Sequence, residues 1–127
     1  MNRKNYTLAI FDSDKAMLEA CALILKEQDI EIFAFPNSTH FLEQLQSAPP
    51  SAILLDNSIL PHGGMNVLHL LKQDPTTANI PVIYMTANGS KGDEAIKAGA
   101  RFLLLKPFDL AQLTQTVLQA CGISQSS

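Results

Sequence analysis

The sequence has 127 residues and a net charge of −3, and 46% of its residues are hydrophobic. This length and composition suit one domain, which we predict over residues 1–127 with its core at about 5–122 and a frayed tail at 123–127. The negative charge argues against nucleic acid or an anionic membrane as the partner.

Five short apolar runs along the chain predict five β-strands. Most of them are apolar at consecutive positions rather than at alternating ones, which is typical of strands covered on both faces in a parallel sheet. The predicted strands are, in chain order, residues 6–11, 30–35, 51–55, 80–85 and 101–105.

The segments between these strands have apolar residues at helical spacing. Asp14 or Ser13 is expected to cap the first helix and Ser38 the second, while Ser90 with Asp93 resembles a capping box in the fourth. The predicted helices are residues 14–28, 38–47, 64–73, 90–98 and 109–121.

Strand and helix thus alternate five times, and Gly122 is a natural stop after the last helix. The connections are short, which favours an α/β fold of the (βα)₅ type. We expect a doubly wound parallel sheet with right-handed crossovers and helices on both faces.

The chain has no predicted export signal and no predicted membrane span. Its first apolar run stops at Asp12, too early for a signal peptide, and no run approaches the roughly 20 residues of a membrane span. We therefore expect a soluble cytoplasmic protein in which Cys21 and Cys121 are buried thiols. The three histidines have no zinc-site spacing and are expected at the surface; they are His40, His62 and His69.

Polar side chains follow four of the five predicted strands. The carboxyl ends of parallel strands meet at one edge of the sheet, where ligands bind, so we expect these side chains to gather there. Carboxylates without nearby Cys or His suit Mg²⁺, and a lysine and a threonine hydroxyl beside a cation suit a phosphoryl group. The residues are Asp12, Ser13 and Asp14, then Asp56, Thr86 and Lys106.

Several of these residues also have an ordinary structural explanation. Asp14 is a favoured helix cap, and Lys106 or Thr86 alone would be a solvated charge or a turn residue. Asp56 is harder to explain in this way, because it stands where the chain leaves a buried strand. It is the candidate nucleophile, which would form an aspartyl-phosphate.

Taken together, these residues resemble a response-regulator receiver domain of two-component signalling over essentially the whole chain. The resemblance implies the flavodoxin-like strand order 2-1-3-4-5. The matching segments are "LAIFDSDKAML", "AILLDNSILPHGGMNVLHLL", "DPTTANIPVIYMTA" and "AIKAGARFLLLKPFDLAQL".

The resemblance implies a role for each polar residue. Asp56 would accept a phosphoryl group from a histidine kinase or a histidine phosphotransfer protein. Thr86 would contact the phosphoryl group and switch with it, and Lys106 would pair with its oxygens. Asp12, Asp56 and the backbone carbonyl of Ser58 would hold Mg²⁺. The resemblance also implies a cis peptide bond before Pro107.

The sequence departs from the family pattern in three places. Ser13 stands where the family has a second acidic metal ligand, which predicts weak Mg²⁺ binding. Pro61 comes one position later than usual in the loop after Asp56. Leu103 replaces the usual Tyr or Phe switch residue, and its neighbour Phe102 cannot substitute because adjacent strand residues face opposite sides.

Three alternatives remain open at this point. A pseudo-receiver would have the same fold but act only as a protein-interaction module. A haloacid-dehalogenase-like phosphatase would use Asp12 as the nucleophile and Asp14 as the acid/base. A flavodoxin-like FMN protein would share the fold, but the two carboxylates after strand 1 would repel the FMN phosphate.

We do not expect an enzyme beyond slow self-catalysed phosphorylation and dephosphorylation. If the full protein is this chain, we expect its signal to pass by contact to a downstream protein that binds through the last helix and strand.

Overall fold

The computed structural model describes residues 6–123, which form a single parallel sheet with helices on both faces. The strands are β1 (Tyr6–Phe11), β2 (Ile30–Phe35), β3 (Ala52–Asp56), β4 (Val82–Thr86) and β5 (Phe102–Leu105). The helices are α1 (Lys15–Lys26), α2 (Phe41–Ser47), α3 (Gly64–Gln73), α4 (Gly89–Lys97) and α5 (Leu110–Ala120).

The strands lie in the order β2-β1-β3-β4-β5, and every pair is parallel, as predicted. The order reverses direction between β1 and β3. Ligands bind at such a point in open α/β sheets, outside the carboxyl ends of the strands. The topology therefore favours a ligand site beside the residues at the carboxyl ends of β1 and β3.

Two apolar layers cover the sheet. Helices α2, α3 and α4 pack on one face, and α1 and α5 pack on the other. Every residue of β3 and β4 is buried, as expected for central strands covered on both sides. Phe102 faces the α1/α5 layer and Leu103 faces the α2–α4 layer, which confirms that the two cannot substitute for one another.

The predicted strand boundaries shift by one or two residues at the third and fourth strands. Strand β3 ends on Asp56 and β4 ends on Thr86, so these residues are the last of their strands rather than the first of the loops. Each retains a strand backbone and is 4% exposed. The sheet thus fixes both side chains more firmly than a loop would.

Helix α1 begins as predicted. Asp14 is its N-cap, and the carboxylate oxygen Oδ1 accepts hydrogen bonds from the N–H groups of Ala16 at 3.0 Å and Met17 at 3.4 Å. Gly122 follows α5 with a φ of +77°, also as predicted for a helix stop.

The predicted cap of α2 is wrong. Its N-cap is His40, which makes no capping hydrogen bond with its side chain. Ser38 is fully buried, and its Oγ lies 2.6 Å from Nδ1 of His62 and accepts the N–H of His62 at 3.1 Å. The hydroxyl is engaged by the loop after β3 and is not available to the helix.

The predicted capping box of α4 is also wrong. Asn88 caps this helix, accepting the N–H groups of Ser90 at 2.9 Å and Lys91 at 3.2 Å. A capping box is instead present in α5, between Asp109 and Gln112. Asn88 and Ser90 are both favoured capping residues and lie two positions apart, so the sequence left the choice of cap undetermined.

Both thiols are free: Cys21 is buried and Cys121 is half-buried. Burial raises the pKa of each to about 11, and for Cys21 the charge of Asp12 adds to the effect. The end of the predicted tail, residues 124–127, lies outside the described residues, whereas Ile123 packs against the α1/α5 layer.

Candidate functional site

Three of the six polar residues predicted to gather line one cleft at the carboxyl edge of the sheet: Asp56, Thr86 and Lys106. The cleft has a volume of about 310 Å³. It is formed by the ends of β3 and β4, by the residue after β5 and by the start of α4, so three of the connections between strand and helix contribute to it. Its lining residues are Asp56, Asn57, Ser58, Thr86, Ala87, Asn88, Lys91 and Lys106.

Asp56 is buried in this cleft with hydrogen bonds to both carboxylate oxygens. Lys106 Nζ donates to Oδ1 at 2.8 Å. The hydroxyl of Ser58 donates to Oδ2 at 2.6 Å, and the N–H of Ser58 donates to the same oxygen at 3.3 Å. A charge buried this deeply needs such partners, and the lysine supplies the opposite charge.

Lys106 combines partial burial with a strong anionic partner. Burial alone would lower its pKa, but the hydrogen bond and charge of Asp56, together with the charges of Asp12 and Asp14, leave the pKa raised. The ammonium group is therefore held in its charged form near neutral pH. It follows β5 directly, before a cis peptide bond to Pro107, as the resemblance implied.

Asp12 follows β1 and is 3% exposed. Its Oδ1 accepts the N–H of Asp14 at 2.9 Å, but its buried Oδ2 accepts no hydrogen bond from any residue between 6 and 123. Burial raises the pKa of Asp12. The hydrogen bond from the N–H of Asp14 lowers this pKa in part, and the negative charge of Asp56 raises it further.

This orphaned oxygen fits a cation better than it fits a structural role. A buried carboxylate oxygen without a donor is costly, and a divalent cation shared with Asp56 would satisfy it and offset the repulsion between the two carboxylates. The donor set is oxygen only, which suits Mg²⁺. The residues present therefore fit the metal that the resemblance implied.

The donor set is nevertheless sparse. Ser13 is exposed, and Asp14 is engaged as the cap of α1. No group of three or more His, Cys, Asp and Glu side chains suited to a metal occurs within residues 6–123. Among residues 6–123, Asp12 and Asp56 are thus the two buried carboxylates at this edge of the sheet, and the weak binding of Mg²⁺ stays a prediction.

Thr86 ends β4 with its hydroxyl beside the cleft. Its Oγ1 accepts the N–H of Asn88 at 3.1 Å, and Asn88 in turn caps α4. A change in the position of this hydroxyl would therefore alter its hydrogen bond to Asn88, the residue that caps the first turn of α4.

Leu103 packs under the same helix. A Cβ placed on Gly92 of α4 would lie 2.7 Å from a methyl carbon of Leu103. The aliphatic side chain thus fills the space between β5 and α4 against a glycine.

Three features of the site were missed from the sequence. The side chain of Ser58, as distinct from its carbonyl, contacts Asp56. Lys91 lines the cleft from α4. Tyr84, which the apolar run around it assigned to the core, donates a hydrogen bond to Asn57 Oδ1. The tyrosine in an otherwise apolar run was the available signal that a hydrogen-bond partner is needed, because a buried hydroxyl usually has one, but the sequence does not identify that partner.

Within residues 6–123, none of the helices combines the length and the apolar character that crossing a membrane requires. The three histidines are exposed, as predicted.

Comparisons with known proteins agree on one family. The family model for the response regulator receiver domain matches residues 8–118. The response regulator Rre1 of Synechocystis is 26% identical over 124 residues, covering 95% of this chain and 54% of that protein. The chain therefore spans about half the length of such curated relatives.

Solved structures share the fold. The receiver domain of a Francisella response regulator aligns with a TM-score of 0.84 at 22% identity, covering 93% of this chain and 98% of that one. The receiver domain of a Pseudomonas aeruginosa sensor histidine kinase aligns with a TM-score of 0.81 at 18% identity, covering 92% and 98%. That crystal structure has a magnesium ion coordinated in its active-site cleft.

Proposed function

This chain belongs to the response regulator receiver domain family of two-component signalling, and from that premise we propose that it accepts a phosphoryl group on Asp56. The observation that carries the proposal is the pairing of a buried Asp56 carboxylate with Lys106 Nζ at 2.8 Å inside an open polar cleft. Receiver domains are signalling domains rather than enzymes, so the expected output is a change of conformation.

In the proposed step, one carboxylate oxygen of Asp56 forms a bond to phosphorus. The bond between phosphorus and a histidine nitrogen of the kinase or phosphotransfer protein breaks, and the electron pair returns to that nitrogen. Lys106 then pairs with the oxygens of the transferred group, and Thr86 Oγ1 donates to one of them in place of its present contact with the N–H of Asn88.

The metal in this proposal is Mg²⁺, held by Asp12, Asp56 and the backbone carbonyl of Ser58, with Ser13 as the weakened position. When bound, it neutralises charge that develops on the phosphoryl oxygens. The orphaned Oδ2 of Asp12 supports this assignment. The chain supplies the rest: a fixed nucleophile, a fixed lysine and a cleft of about 310 Å³ that admits a phosphoryl group.

Downstream signalling is proposed to proceed by contact with a protein through α5 and β5, in the cytoplasm. Leu105 is 46% exposed and Leu110 is 57% exposed, which gives this side of the molecule apolar side chains on its surface. Nearby, a cleft of about 310 Å³ is lined by residues of β5 and α5. A nucleic-acid partner is not part of the proposal, because the net charge is −3.

Intact-mass analysis after incubation with acetyl phosphate and Mg²⁺ tests the proposal. The native chain is expected to gain the mass of one phosphoryl group slowly by self-catalysed transfer, and Asp56→Asn is expected to gain none. Asp93→Asn, a charge removed from the exposed surface of α4, is the matched control. A folded native chain that gains no mass at high Mg²⁺ would contradict the proposal and favour the pseudo-receiver. A phosphatase activity of the native chain that is lost in Asp12→Asn would instead favour the haloacid-dehalogenase-like phosphatase.

A further inference from the structure

Tyr84 is a polar side chain inside the central strand β4. It is fully buried, and its hydroxyl donates a hydrogen bond to Asn57 Oδ1. Burial raises the pKa of Tyr84 to about 12, with a further contribution from the charge of Asp56. The phenol is therefore protonated at neutral pH and acts as a hydrogen-bond donor.

The partner of this hydroxyl adjoins the phosphoacceptor. Asn57 follows Asp56 directly, precedes Ser58 and lines the cleft. Its N–H donates to the carbonyl of Met85 at 2.9 Å, and its carbonyl accepts the N–H of Gly64 at 2.8 Å. With the Tyr84 contact, Asn57 is held at three points, by β4 through its backbone and its side chain and by the start of α3.

The packing around this contact is close enough to resist displacement. A Cβ built on Gly64 would lie 2.7 Å from the Cα of Asn57 and 2.8 Å from the hydroxyl oxygen of Tyr84. The first residue of α3 thus leaves no room for a side chain beside either partner. Removing the Tyr84 hydroxyl leaves Asn57 Oδ1 without its hydrogen-bond donor. The close packing also keeps the neighbouring atoms from filling the space that the hydroxyl occupied.

We propose that Tyr84 is a positioning residue for phosphoryl acceptance, which acts through Asn57 by fixing the chain that carries Asp56 and Ser58. The inference rests on the proposed function, since the phosphoacceptor is Asp56. Tyr84 does not contact the reacting atoms itself. Its hydroxyl holds the residue between the nucleophile and Ser58, whose hydroxyl and N–H both bond to Asp56 Oδ2. Looser positioning of the Asp56 carboxylate slows transfer without weakening the binding of a small donor.

The test is the rate of phosphorylation of Tyr84→Phe by acetyl phosphate as a function of donor concentration. This substitution keeps the ring and removes only the hydroxyl. The maximal rate is expected to fall roughly three- to tenfold, the equivalent of one hydrogen bond. The donor concentration at half-maximal rate is expected to stay unchanged, because Lys106 and Thr86 remain. Tyr6→Phe, at the opposite end of the sheet in β1, is the matched control and should behave as the native chain.

A double-mutant cycle with Asn57→Ala identifies the route of the effect. Removing the Tyr84 hydroxyl should change the rate little once the Asn57 carboxamide is absent. Additive effects would mean that the hydroxyl acts elsewhere, and would overturn the inference, as would an unchanged maximal rate in Tyr84→Phe.

A second readout needs no phosphodonor. The backbone order parameters of Asn57 and Ser58, from ¹⁵N relaxation, are expected to fall in Tyr84→Phe and to stay unchanged in Tyr6→Phe. If the native chain takes up no phosphoryl group, the proposed function fails, and these order parameters alone decide whether Tyr84 fixes the segment. Order parameters equal to those of the native chain would overturn the inference in that case too.

Discussion

At the scale of single residues, the two carboxylates after β1 serve different parts of the molecule. Asp14 caps α1 through its Oδ1, while Asp12 is buried with an oxygen that has no donor among residues 6–123. Ser13 lies between them and is exposed. The shortage of charge in the proposed metal site therefore comes from one position, and a single substitution can test it.

Ser13→Asp is expected to raise the affinity for Mg²⁺ at least about tenfold, since a carboxylate would join Asp12 and Asp56. Isothermal titration with Mg²⁺ measures the change. Asp14→Asn is the matched control, because asparagine keeps the helix cap and alters charge one residue away. Equal affinities for Ser13→Asp and the native chain would mean that the metal site lies elsewhere.

The hydroxyl of Ser58 occupies one oxygen of the proposed phosphoacceptor, at 2.6 Å from Asp56 Oδ2. We expect Ser58→Ala to speed phosphorylation by acetyl phosphate roughly threefold, because that oxygen no longer has to release a donor hydrogen bond. Intact-mass time courses give the rate. Ser47→Ala, which removes a hydroxyl bonded to a carbonyl within α2, serves as the comparison. A slower Ser58→Ala variant would show that the hydroxyl assists the reaction.

At the scale of elements, the start of α3 is constrained by its neighbours. The N–H of Gly64 bonds the carbonyl of Asn57, and a side chain at Gly64 would meet backbone at 2.7 Å. Gly89 begins α4 with open space around it. The two glycines thus occupy equivalent places in two helices but differ in what surrounds them.

Gly64→Ala is expected to lower the free energy of unfolding by about 1–3 kcal/mol, the usual cost of overpacking. Gly89→Ala should be neutral or slightly stabilising, since alanine favours the helix and meets no atom within 4 Å. Urea denaturation followed by circular dichroism measures both. Equal midpoints for the two variants would contradict the close packing at Gly64.

The sequence predicted the strands of the sheet better than it predicted the residues that cap the helices. The five apolar runs predicted all five strands, because central strands buried on both faces need unbroken apolar sequence. The caps at Ser38 and Ser90 were wrong, because several capping residues lie close together and tertiary contacts decide among them. The contact between Tyr84 and Asn57 could not be predicted from the sequence, because it joins residues 27 positions apart.

At the scale of the whole molecule, the site concentrates negative charge in a buried place. Burial raises the pKa of Asp12 above its ordinary value of 3.8, and the charge of Asp56 adds to it. Between the unfolded and the folded pKa, the folded chain binds more protons than the unfolded chain. Its stability therefore falls as the pH rises through this window, and the loss persists above it.

Asp12→Asn should thus be more stable than the native chain at pH 7 in the presence of EDTA, and should lack this part of the pH dependence. Added Mg²⁺ should stabilise the native chain by binding its folded form, and should stabilise the variant less. Urea midpoints between pH 4 and pH 8, with and without Mg²⁺, test both statements. A variant less stable than the native chain at pH 7 in EDTA would contradict the sign of the effect.

The salt bridge between Asp56 and Lys106 joins residues 50 positions apart in the sequence. It requires β3, β4 and β5 to be paired in register. A chain in which β5 has not yet docked has the proposed acceptor without its lysine, and a chain in which β1 has not docked has no Asp12 near it. Uptake of a phosphoryl group would therefore mark chains that have finished folding. If the proposed function holds, a partly folded chain would take up no phosphoryl group and would give no signal.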